Sequence, residues 1–326
     1  MKKILLVGGA GFIGHNVALK LSKEKFDVTI IDSFSVNNIE YLNNNDVKRK
    51  DLYISFIEER ISKLKNSNIK IINLDARKRN ELRDSIQKIN PDTIIHFAGV
   101  AHANRSNKDP FTTFDNSFLT LENTLDVAKD LKCHLIYFSS SMVYGNFNNI
   151  KVTENHECNP LGIYGALKFG GEKLVIAYNQ VFEMPYTIIR PSALYGQRCI
   201  SGRVGQLFIE NAMTEKNILI NGDGKEKLDF TYIQDLIQGI KLVITKKESL
   251  GEVFNLTFGE GRSLIDLAKI VVKRFPNIQI EYANRDKLMP IRGSLSVEKA
   301  KKLLGYKPEY NIEKGFNDYI TWYQER

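Results

Sequence analysis

A tyrosine and a lysine stand four residues apart at Tyr164 and Lys168, in the segment Tyr-Gly-Ala-Leu-Lys. If this segment is helical, the phenol and the ammonium share one face of the helix. A nearby cation lowers the pKa of a phenol from about 10 toward neutral pH, so the phenolate could accept a proton from a substrate hydroxyl. The spacing alone is common, and packing at a surface or in a core is the alternative.

Three consecutive serines, at residues 139–141, follow an apolar run that we predict to be the fifth strand of a sheet. Doubly wound sheets bind their ligands beyond the carboxyl ends of the strands. A serine hydroxyl at that edge could hold a substrate oxygen beside Tyr164. The triplet therefore favours a catalytic role for Tyr164 and Lys168 over simple packing.

A glycine-rich turn at residues 8–14 follows the first apolar run and opens an amphipathic stretch. Gly8 can supply a tight turn, Gly11 lets backbone N–H groups approach a pyrophosphate, and Gly14 permits close helix–strand packing. Asp32 ends the second predicted strand, where a carboxylate accepts hydrogen bonds from the hydroxyls of an adenosine ribose and repels a 2′-phosphate. The pattern predicts NAD as the cofactor, with an ordinary loop aspartate as the alternative.

The scaffold for these residues is predicted from the first half of the chain, where short apolar runs alternate with amphipathic stretches. This alternation is typical of a parallel sheet covered on both faces. We expect an α/β fold, a Rossmann-type doubly wound parallel sheet with a smaller C-terminal α/β substrate lobe. The predicted strands are Lys3–Val7, 28–31, 69–74, 93–98, 134–139 and Tyr186–Arg190. The predicted helices are 13–22, 80–89, 116–131 and 166–181. A further helix is predicted at residues 52–64, within the polar segment 37–68.

The pattern becomes irregular after Pro191, which indicates a second domain. We expect an NAD-binding domain at residues 1–180 and a substrate lobe at residues 181–326 that closes on the ligand. The segment near 225–250 could return to the first domain. Within the substrate lobe, short strands are predicted at 218–220, 253–256 and 279–282, and helices at Leu264–Arg274, 297–304 and 312–323.

Composition and charge argue against several classes of protein. The 326 residues carry a formal net charge of +8, but the basic residues are scattered among acids, which indicates a solvated surface and not a nucleic-acid partner. Three widely spaced cysteines and five histidines form neither a disulfide framework nor a metal-binding motif. No apolar stretch is long enough to cross a bilayer. We therefore expect no metal, no nucleic acid, no membrane partner and a cytoplasmic location.

Further motifs complete a pattern that covers nearly the whole chain. The motifs are Gly8-x-x-Gly11-x-x-Gly14, Asp32, His96-Phe-Ala-Gly99, Ser139-Ser-Ser-Met-Val-Tyr-Gly145, Tyr164-x-x-x-Lys168, Arg190-Pro-x-x-x-Tyr-Gly196, Asp229-Phe-Thr-Tyr-Ile-x-Asp235 and Leu303-Leu-Gly-Tyr-x-Pro308. Together they resemble the extended short-chain dehydrogenases/reductases, the family of NAD-dependent nucleotide-sugar epimerases and dehydratases. The combination is specific for the family and much less so for the reaction.

The resemblance implies roles for individual residues. Ser140 is similar to the hydroxyl residue that partners the catalytic tyrosine, so the implied catalytic residues are Ser140, Tyr164 and Lys168. The implied substrate-binding residues are His102, Ser141, Arg203 and Arg292. The implied NAD-binding residues are Asp75 and Ala76 beside the adenine, Ala98 and Gly99 along the pyrophosphate, and Gly8, Gly11, Phe12, Ile13, Gly14, Asp32, Phe97, Tyr164 and Lys168.

Three departures from the family pattern concern the grip on a substrate diphosphate. Ala193 stands where an asparagine is common, Leu228 where an arginine often precedes Asp-Phe, and Ser294 where an aspartate is common. Arg292 is the strongest remaining candidate for holding the diphosphate. The other candidates are Lys287, Arg203 and Arg198, and a solvated surface side chain is the alternative for each.

The family chemistry passes through a transient ketone at C4 of the sugar. Tyr164 would remove the C4 hydroxyl proton while NAD takes the hydride, and return of the hydride to the other face would invert C4. Sugar dehydratases of the family carry an Asp-Glu pair where this chain has Ser141 and Met142, which supply neither a good base nor an acid. We predict a C4 epimerase. The alternatives are a 4-dehydrogenase or reductase, a dehydratase, and a non-catalytic NAD-binding regulator.

Two further expectations concern partners. Retention of both Tyr164 and Lys168 argues against a regulator, which needs neither, so a nucleoside-diphosphate sugar is the expected substrate. The predicted helices that begin near residues 116 and 166 resemble those through which family members pair as a four-helix bundle. The resemblance therefore implies a homodimer, isologous as most dimers are.

Overall fold

The structure is a computed structural model that describes residues 1–36, 38–101, 103–147, 151–284 and 290–326. Its strands, in chain order, are β1 (Lys3–Val7), β2 (Asp27–Asp32), β3 (Lys70–Asn73), β4 (Thr93–His96), β5 (His134–Phe138), β6 (Tyr186–Arg190), β7 (Leu194–Tyr195), β8 (Ile218–Asn221), β9 (Lys227–Asp229), β10 (Thr231–Tyr232), β11 (Glu252–Asn255), β12 (Gly261–Ser263) and β13 (Ile280–Ala283). Among these described residues, seven strands form one large sheet, and the remaining six form three two-stranded sheets.

Thirteen α-helices are present in the described residues. They are α1 (Phe12–Lys23), α2 (Ile39–Asn44), α3 (Lys50–Asn66), α4 (Arg79–Ile89), α5 (Ala103–Lys108), α6 (Pro110–Phe114), α7 (Thr120–Leu131), α8 (Gly162–Phe182), α9 (Val204–Met213), α10 (Ile233–Thr245), α11 (Leu264–Arg274), α12 (Glu298–Leu304) and α13 (Ile312–Gln324). A π-helix at Asp115–Leu119 leads into α7. Within the described chain, none of the helices combines the length and the apolar character needed to cross a membrane.

The large sheet is parallel and has the order β3-β2-β1-β4-β5-β6-β11. This is the strand order of a doubly wound Rossmann fold, extended at one edge by β11, and it confirms the predicted fold class. All residues of β4 and β5 are buried, which is why these strands read as continuous apolar runs. Because the order reverses between β1 and β4, the turns after these two strands flank the crevice where such sheets bind ligands.

The strand β11 differs from the sequence expectation. The sequence pattern predicts residues 253–256 in the smaller lobe, whereas β11 lies beside β6 in the large sheet. The segment before β11 is tied to β6, because Gly251 N–H donates to the carbonyl of Tyr186 at 2.8 Å. The Thr187 hydroxyl also donates to the carbonyl of Ser249 at 2.7 Å. Periodicity alone could not assign so short a strand to one sheet or another.

Contacts divide the chain into two compact units that interleave in sequence. The first comprises Met1–Ser139, Ile163–Ile189 and Val243–Val253. The second comprises Ser140–Gly162, Arg190–Leu242 and Phe254–Arg326. The sequence pattern predicts one boundary near residue 180, with a possible return to the first domain near residues 225–250. Only residues 243–250 of that return segment lie in the first unit, and the first unit also keeps β6 beyond residue 180.

A buried aspartate organises part of the second unit. Asp229, at the end of β9, accepts hydrogen bonds from the backbone N–H of Gly259 at 3.1 Å and of Leu295 at 3.0 Å. The Thr257 hydroxyl donates to the same carboxylate at 3.1 Å. Burial raises the pKa of Asp229 to about 6, although these three donors favour the charged form. The carboxylate thereby ties β9 to the segment that carries Arg292.

Candidate functional site

The glycine-rich turn after β1 is compact because two of its glycines have no room for a side chain. Gly8 adopts φ +77°, and a Cβ there would lie 2.6 Å from the backbone nitrogen of Ala98. A Cβ on Gly14 would lie 2.4 Å from the carbonyl oxygen of Gly9. The turn can therefore pass against the segment after β4, and α1 can start close to the strand it follows.

Gly11 has a different reason to be glycine. It is the N-cap of α1, no side chain caps this helix end, and the first turn carries no acidic residue. A Cβ on Gly11 would meet protein no closer than 4.0 Å, so packing within the chain does not exclude a side chain there. Backbone N–H groups at an uncapped helix N-terminus favour an anion. The turn fits the pyrophosphate of a dinucleotide, with Phe12 and Ile13 in the first helical turn.

Asp32 ends β2 beside this turn. Its Oδ2 accepts a hydrogen bond from Ala10 N–H and its Oδ1 one from Phe34 N–H, both at 2.8 Å. Burial raises the pKa of Asp32, and these two hydrogen bonds and the charge of Arg60 oppose the increase. A carboxylate has about four acceptor positions. The two backbone donors therefore fix the side chain and leave acceptor capacity for ribose hydroxyls.

The remaining predicted NAD-binding residues lie beyond the ends of β3 and β4. Asp75 pairs with Arg77, whose hydrogen bonds hold the pKa of that carboxyl below its usual range. Asn123 of α7 donates to the carbonyl of Ala76 at 3.0 Å. Beyond β4, Ala98 N–H donates to the carbonyl of Val7 at 3.0 Å. The centroid of the Phe97 ring lies 4.5 Å from that of Phe138. Gly99 adopts φ +141°, and a Cβ there would lie 3.2 Å from the Ser117 hydroxyl oxygen. The contacts beyond β4 fix the backbone at Ala98 and Gly99, which the family resemblance places along the pyrophosphate, and those beyond β3 fix Asp75 and Ala76, which it places beside the adenine.

Lys168 and Tyr164 lie on α8, one turn apart, so the predicted helix and spacing are present. The lysine side chain is only 8% exposed, and its Nζ donates to the carbonyl of Phe138 at 2.6 Å. Burial lowers the pKa of Lys168 to about 8. The phenol of Tyr164 is half-buried. The helix therefore holds a fixed cation one turn from an accessible phenol.

Ser140 and Ser141 open the second unit, where a short 3₁₀ helix at Ser141–Tyr144 follows β5. Ser140 caps this helix, since its Oγ accepts a hydrogen bond from Met142 N–H at 3.2 Å. A hydroxyl that accepts in this way keeps its own proton for donation to another oxygen. Ser141 is fully buried, and its backbone N–H donates to the carbonyl of Pro191 at 2.9 Å.

The predicted substrate-binding cations belong to the second unit, and their role stays a prediction. Arg203 is the N-cap of α9 and is half-buried. Arg292 is also half-buried and follows Ile291, whose N–H donates to the side chain of Asn146 at 2.8 Å. Ser294 replaces the aspartate common in the family, and its hydroxyl accepts from Gly261 N–H at 2.7 Å. His102 and Lys287 lie outside the described residues.

Two residues near the site were not predicted. Glu172 lies on α8 four residues after Lys168, is almost completely buried, and accepts a hydrogen bond from the Ser139 hydroxyl. Its spacing from Lys168 was a usable signal, but charged residues four apart on a helix usually lie at a surface. Arg60 of α3 is buried although it comes from the polar segment 37–68, and no sequence pattern marks it.

The fold and this arrangement agree with the comparisons to known proteins. The model of the NAD dependent epimerase/dehydratase family matches residues 4–257, so the chain belongs to that family. The family is NAD-dependent, which confirms the predicted cofactor. The family resemblance drawn from the motifs is confirmed as well.

Individual relatives include both epimerases and dehydratases. The chain is 30% identical to a UDP-glucuronate 4-epimerase from Thermodesulfobacterium geofontis over 331 residues, which cover 98% of this chain and 96% of that protein. It is 30% identical to a dTDP-D-glucose 4,6-dehydratase from Dictyostelium discoideum over 285 residues, or 83% of this chain and 62% of that protein. The crystal structure of a UDP-glucuronic acid 4-epimerase from Bacillus cereus, in complex with UDP-glucuronic acid and NAD, is similar with a TM-score of 0.88, 26% identity and 99% coverage of both chains.

Proposed function

We propose that this protein is an NAD-dependent epimerase that inverts C4 of a sugar on a nucleoside diphosphate through a transient 4-keto sugar. The observation that carries the proposal is the identity of the two residues after Ser140. The site keeps Tyr164 and Lys168 for moving a proton, but these two positions hold Ser141 and Met142, both buried. Elimination of water would need a base and an acid there, and these side chains provide neither.

Each catalytic residue has a defined task in the proposed reaction. Tyr164, as the phenolate, accepts the proton of the C4 hydroxyl and later returns it. Lys168 stabilises the phenolate by its positive charge and can donate to a ribose hydroxyl of the cofactor. Ser140 donates its hydroxyl proton to the oxygen on C4. NAD, when bound, takes up the C4 hydride and gives it back.

The residues that would hold the cofactor are those beside the glycine-rich turn. Gly11 and the first turn of α1 would receive the pyrophosphate, and Asp32 would accept hydrogen bonds from the adenosine ribose. Asp75 and Ala76 would flank the adenine, with Phe97, Ala98 and Gly99 on the other side of the turn. We assign cofactor binding to the first unit, which contains all of these residues.

The proposed substrate is a UDP-sugar, with UDP-glucuronate as the first compound to examine. The support comes from the 4-epimerases of Thermodesulfobacterium geofontis and Bacillus cereus, whose names specify that sugar. We propose that Arg292 and Arg203 hold the diphosphate and that Ser141 contributes to binding of the substrate. Both arginines belong to the second unit, to which we assign substrate binding.

A panel of nucleotide sugars tests the proposal. The protein is incubated with UDP-glucuronate, UDP-glucose, UDP-N-acetylglucosamine and the corresponding GDP-, CDP- and dTDP-sugars, and products are read by NMR. We expect one substrate class to yield its C4 epimer without added reductant. Tyr164→Phe should still bind NAD and lose at least about a hundredfold in turnover, since only the ionisable oxygen is removed. A product lighter by one water, stoichiometric NADH, or no turnover across the panel would overturn the proposal.

A further inference from the structure

Glu172 is a buried acidic residue for which the proposed reaction has no task. It lies on α8, four residues after Lys168 and eight after Tyr164, so the three side chains follow one another along one face of the helix. The glutamate is 1% exposed. The hydroxyl of Ser139, immediately after β5, donates a hydrogen bond to its Oε1. Glutamate is rarely buried in this way without polar or charged partners, so the groups around its side chain matter.

The ammonium of Lys168 lies in the same buried layer. Its Nζ donates to the carbonyl of Phe138 at 2.6 Å and lies 5.2 Å from the centroid of the Tyr137 ring. Burial disfavours the charged lysine, and the negative charge of Glu172 acts in the opposite direction on its pKa. The titratable groups that face this ammonium are Tyr164 and Glu172 on α8, Tyr137 on β5 and His96 on β4.

Two of these groups cannot supply a counter-charge. Burial lowers the pKa of His96 to about 3, so the imidazole is neutral near pH 7. Burial also holds the pKa of Tyr137 well above its usual value, so that phenol keeps its proton. Of the other two groups, Tyr164 is the proton acceptor of the proposed reaction, which leaves Glu172 as the carboxyl group of this layer, oriented by the hydrogen bond from Ser139.

We propose that Glu172 is a positioning residue of the catalytic site, whose carboxylate, held by the Ser139 hydroxyl, keeps the Lys168 ammonium protonated one turn from Tyr164. What this arrangement contributes to catalysis rests on the proposed function. The effect of Glu172 on the pKa of Lys168 is independent of that function, because it needs only two charged side chains in the same buried layer. Glu172 itself is assigned no contact with the cofactor or the sugar.

Direct titration of the lysine tests the proposal without any substrate. The full-length protein is labelled with ¹³C and ¹⁵N in lysine, and the resonance of Lys168 is identified by its loss in Lys168→Arg. Glu172→Gln removes the charge and keeps an oxygen that can accept from Ser139. We expect the pKa of Lys168 to fall by about one pH unit or more in this variant, with and without NAD, because the ammonium has lost its counter-charge.

Ser139→Ala is the matched control, since it removes the hydrogen bond and keeps the carboxylate. Its effect on the pKa of Lys168 should be less than about a third of that of Glu172→Gln. An unchanged pKa in Glu172→Gln, or equal shifts in both variants, would overturn the proposal. If Glu172→Gln does not fold, Glu172→Met gives the same expected shift, and Glu172→Asp, which keeps a charge, should stay near the wild-type value. The titration can contradict the role of Glu172 while the nucleotide-sugar panel confirms epimerisation. The panel can also show no epimerisation while the titration gives the expected shift.

Discussion

Burial changes the acid–base behaviour of Lys168 more than its position in the motif suggests. The motif predicts an ammonium that tunes Tyr164, and the structure adds that this ammonium is held by the carbonyl of Phe138 and has its pKa lowered to about 8. A lysine with a lowered pKa loses its charge at a lower pH than a solvated one. Lys168 should therefore also set the pH above which the reaction rate falls.

We expect the rate of epimerisation to fall as pH rises through about 8, because the phenolate then loses its cation. Lys168→Met removes the cation permanently. In that variant the phenol becomes harder to ionise, so the rising acidic limb of the rate profile moves to higher pH, and NAD affinity decreases. Rate profiles from acidic to alkaline pH measure the first effect, and calorimetry measures the second. If the pH–rate profile of Lys168→Met rises and falls at the same pH values as that of the wild type, Lys168 does not tune the base Tyr164.

Asp32 leads to a prediction about the choice of cofactor. Its carboxylate is fixed beside the turn by Ala10 and Phe34, where the 2′-phosphate of NADP would meet a negative charge. We expect NAD to bind at least tenfold more tightly than NADP, or about 1.4 kcal/mol. Calorimetry with both cofactors measures the difference, and Asp32→Ala should reduce it. Equal or tighter binding of NADP by the wild-type protein would refute the assignment.

Some site residues could be read from the sequence and others could not, for a physical reason. Gly8, Gly14 and Tyr164 stand in short motifs whose spacing is set by one turn or one helix, so local sequence is enough. Glu172 meets Ser139 only because α8 packs against the end of β5. Such a contact joins residues 33 positions apart and has no local signature.

The elements of the large sheet were the easiest to predict. β1, β4, β5 and β6 are buried along almost their whole length, so each is rich in apolar residues, with few polar side chains among them. Strands outside this sheet, such as β7 and β10, have only two residues each and leave no pattern to detect. The π-helix at Asp115–Leu119 was likewise absorbed into a longer predicted helix, because it continues into α7 with helical spacing.

The turn between β1 and α1 permits a test with two matched glycines. Gly14→Ala would place a Cβ 2.4 Å from the Gly9 carbonyl, so we expect a loss of about 1–3 kcal/mol in the free energy of unfolding. Gly11→Ala meets no protein atom closer than 4.0 Å and should unfold almost like the wild type. It should nevertheless bind NAD at least about tenfold more weakly, because its Cβ would hinder the approach of a pyrophosphate to the proposed backbone site. Denaturant unfolding and calorimetry separate the two effects, and wild-type NAD affinity in Gly11→Ala would contradict the assignment.

The first unit carries apolar side chains that its own core does not cover. Phe111 is 78% exposed and Val181 is 69% exposed, and Phe114, Leu119 and Phe182 are also exposed on the helical segments of α6, the π-helix and α8. Large exposed apolar patches are typical of protein–protein interaction sites. These residues lie on or next to the two predicted helices that begin near residues 116 and 166, so we propose that this helical region pairs with a second copy of the chain.

We expect a homodimer at micromolar concentration, measured by light scattering coupled to size exclusion. Replacement of Phe111 and Val181 by serine should shift the protein toward the monomer without loss of helical content, since neither side chain is part of the core. Serine at the exposed Leu250, outside these helices, is a control and should leave the dimer unchanged. A wild-type monomer would refute the proposed pairing.

The order of the units in sequence could not be predicted at the scale of the whole chain. The sequence marks where apolar runs become irregular, near Pro191, but the chain already enters the second unit at Ser140 and leaves it again after Gly162. It re-enters the first unit at Val243, just before β11. The crossings at residues 189–190, 242–243 and 253–254 fall inside β6, α10 and β11, so no linker marks them in the sequence.

The central claim is that a hydride leaves C4 and returns to the opposite face of the same carbon. A UDP-sugar labelled with deuterium at C4 tests it most directly, with the substrate chosen from the panel of nucleotide sugars. We predict that both C4 epimers keep the deuterium on C4, with masses equal to that of the substrate and no accumulation of NADH. Loss of deuterium to solvent, accumulation of NADH in proportion to product, or a product lighter by one water would contradict it.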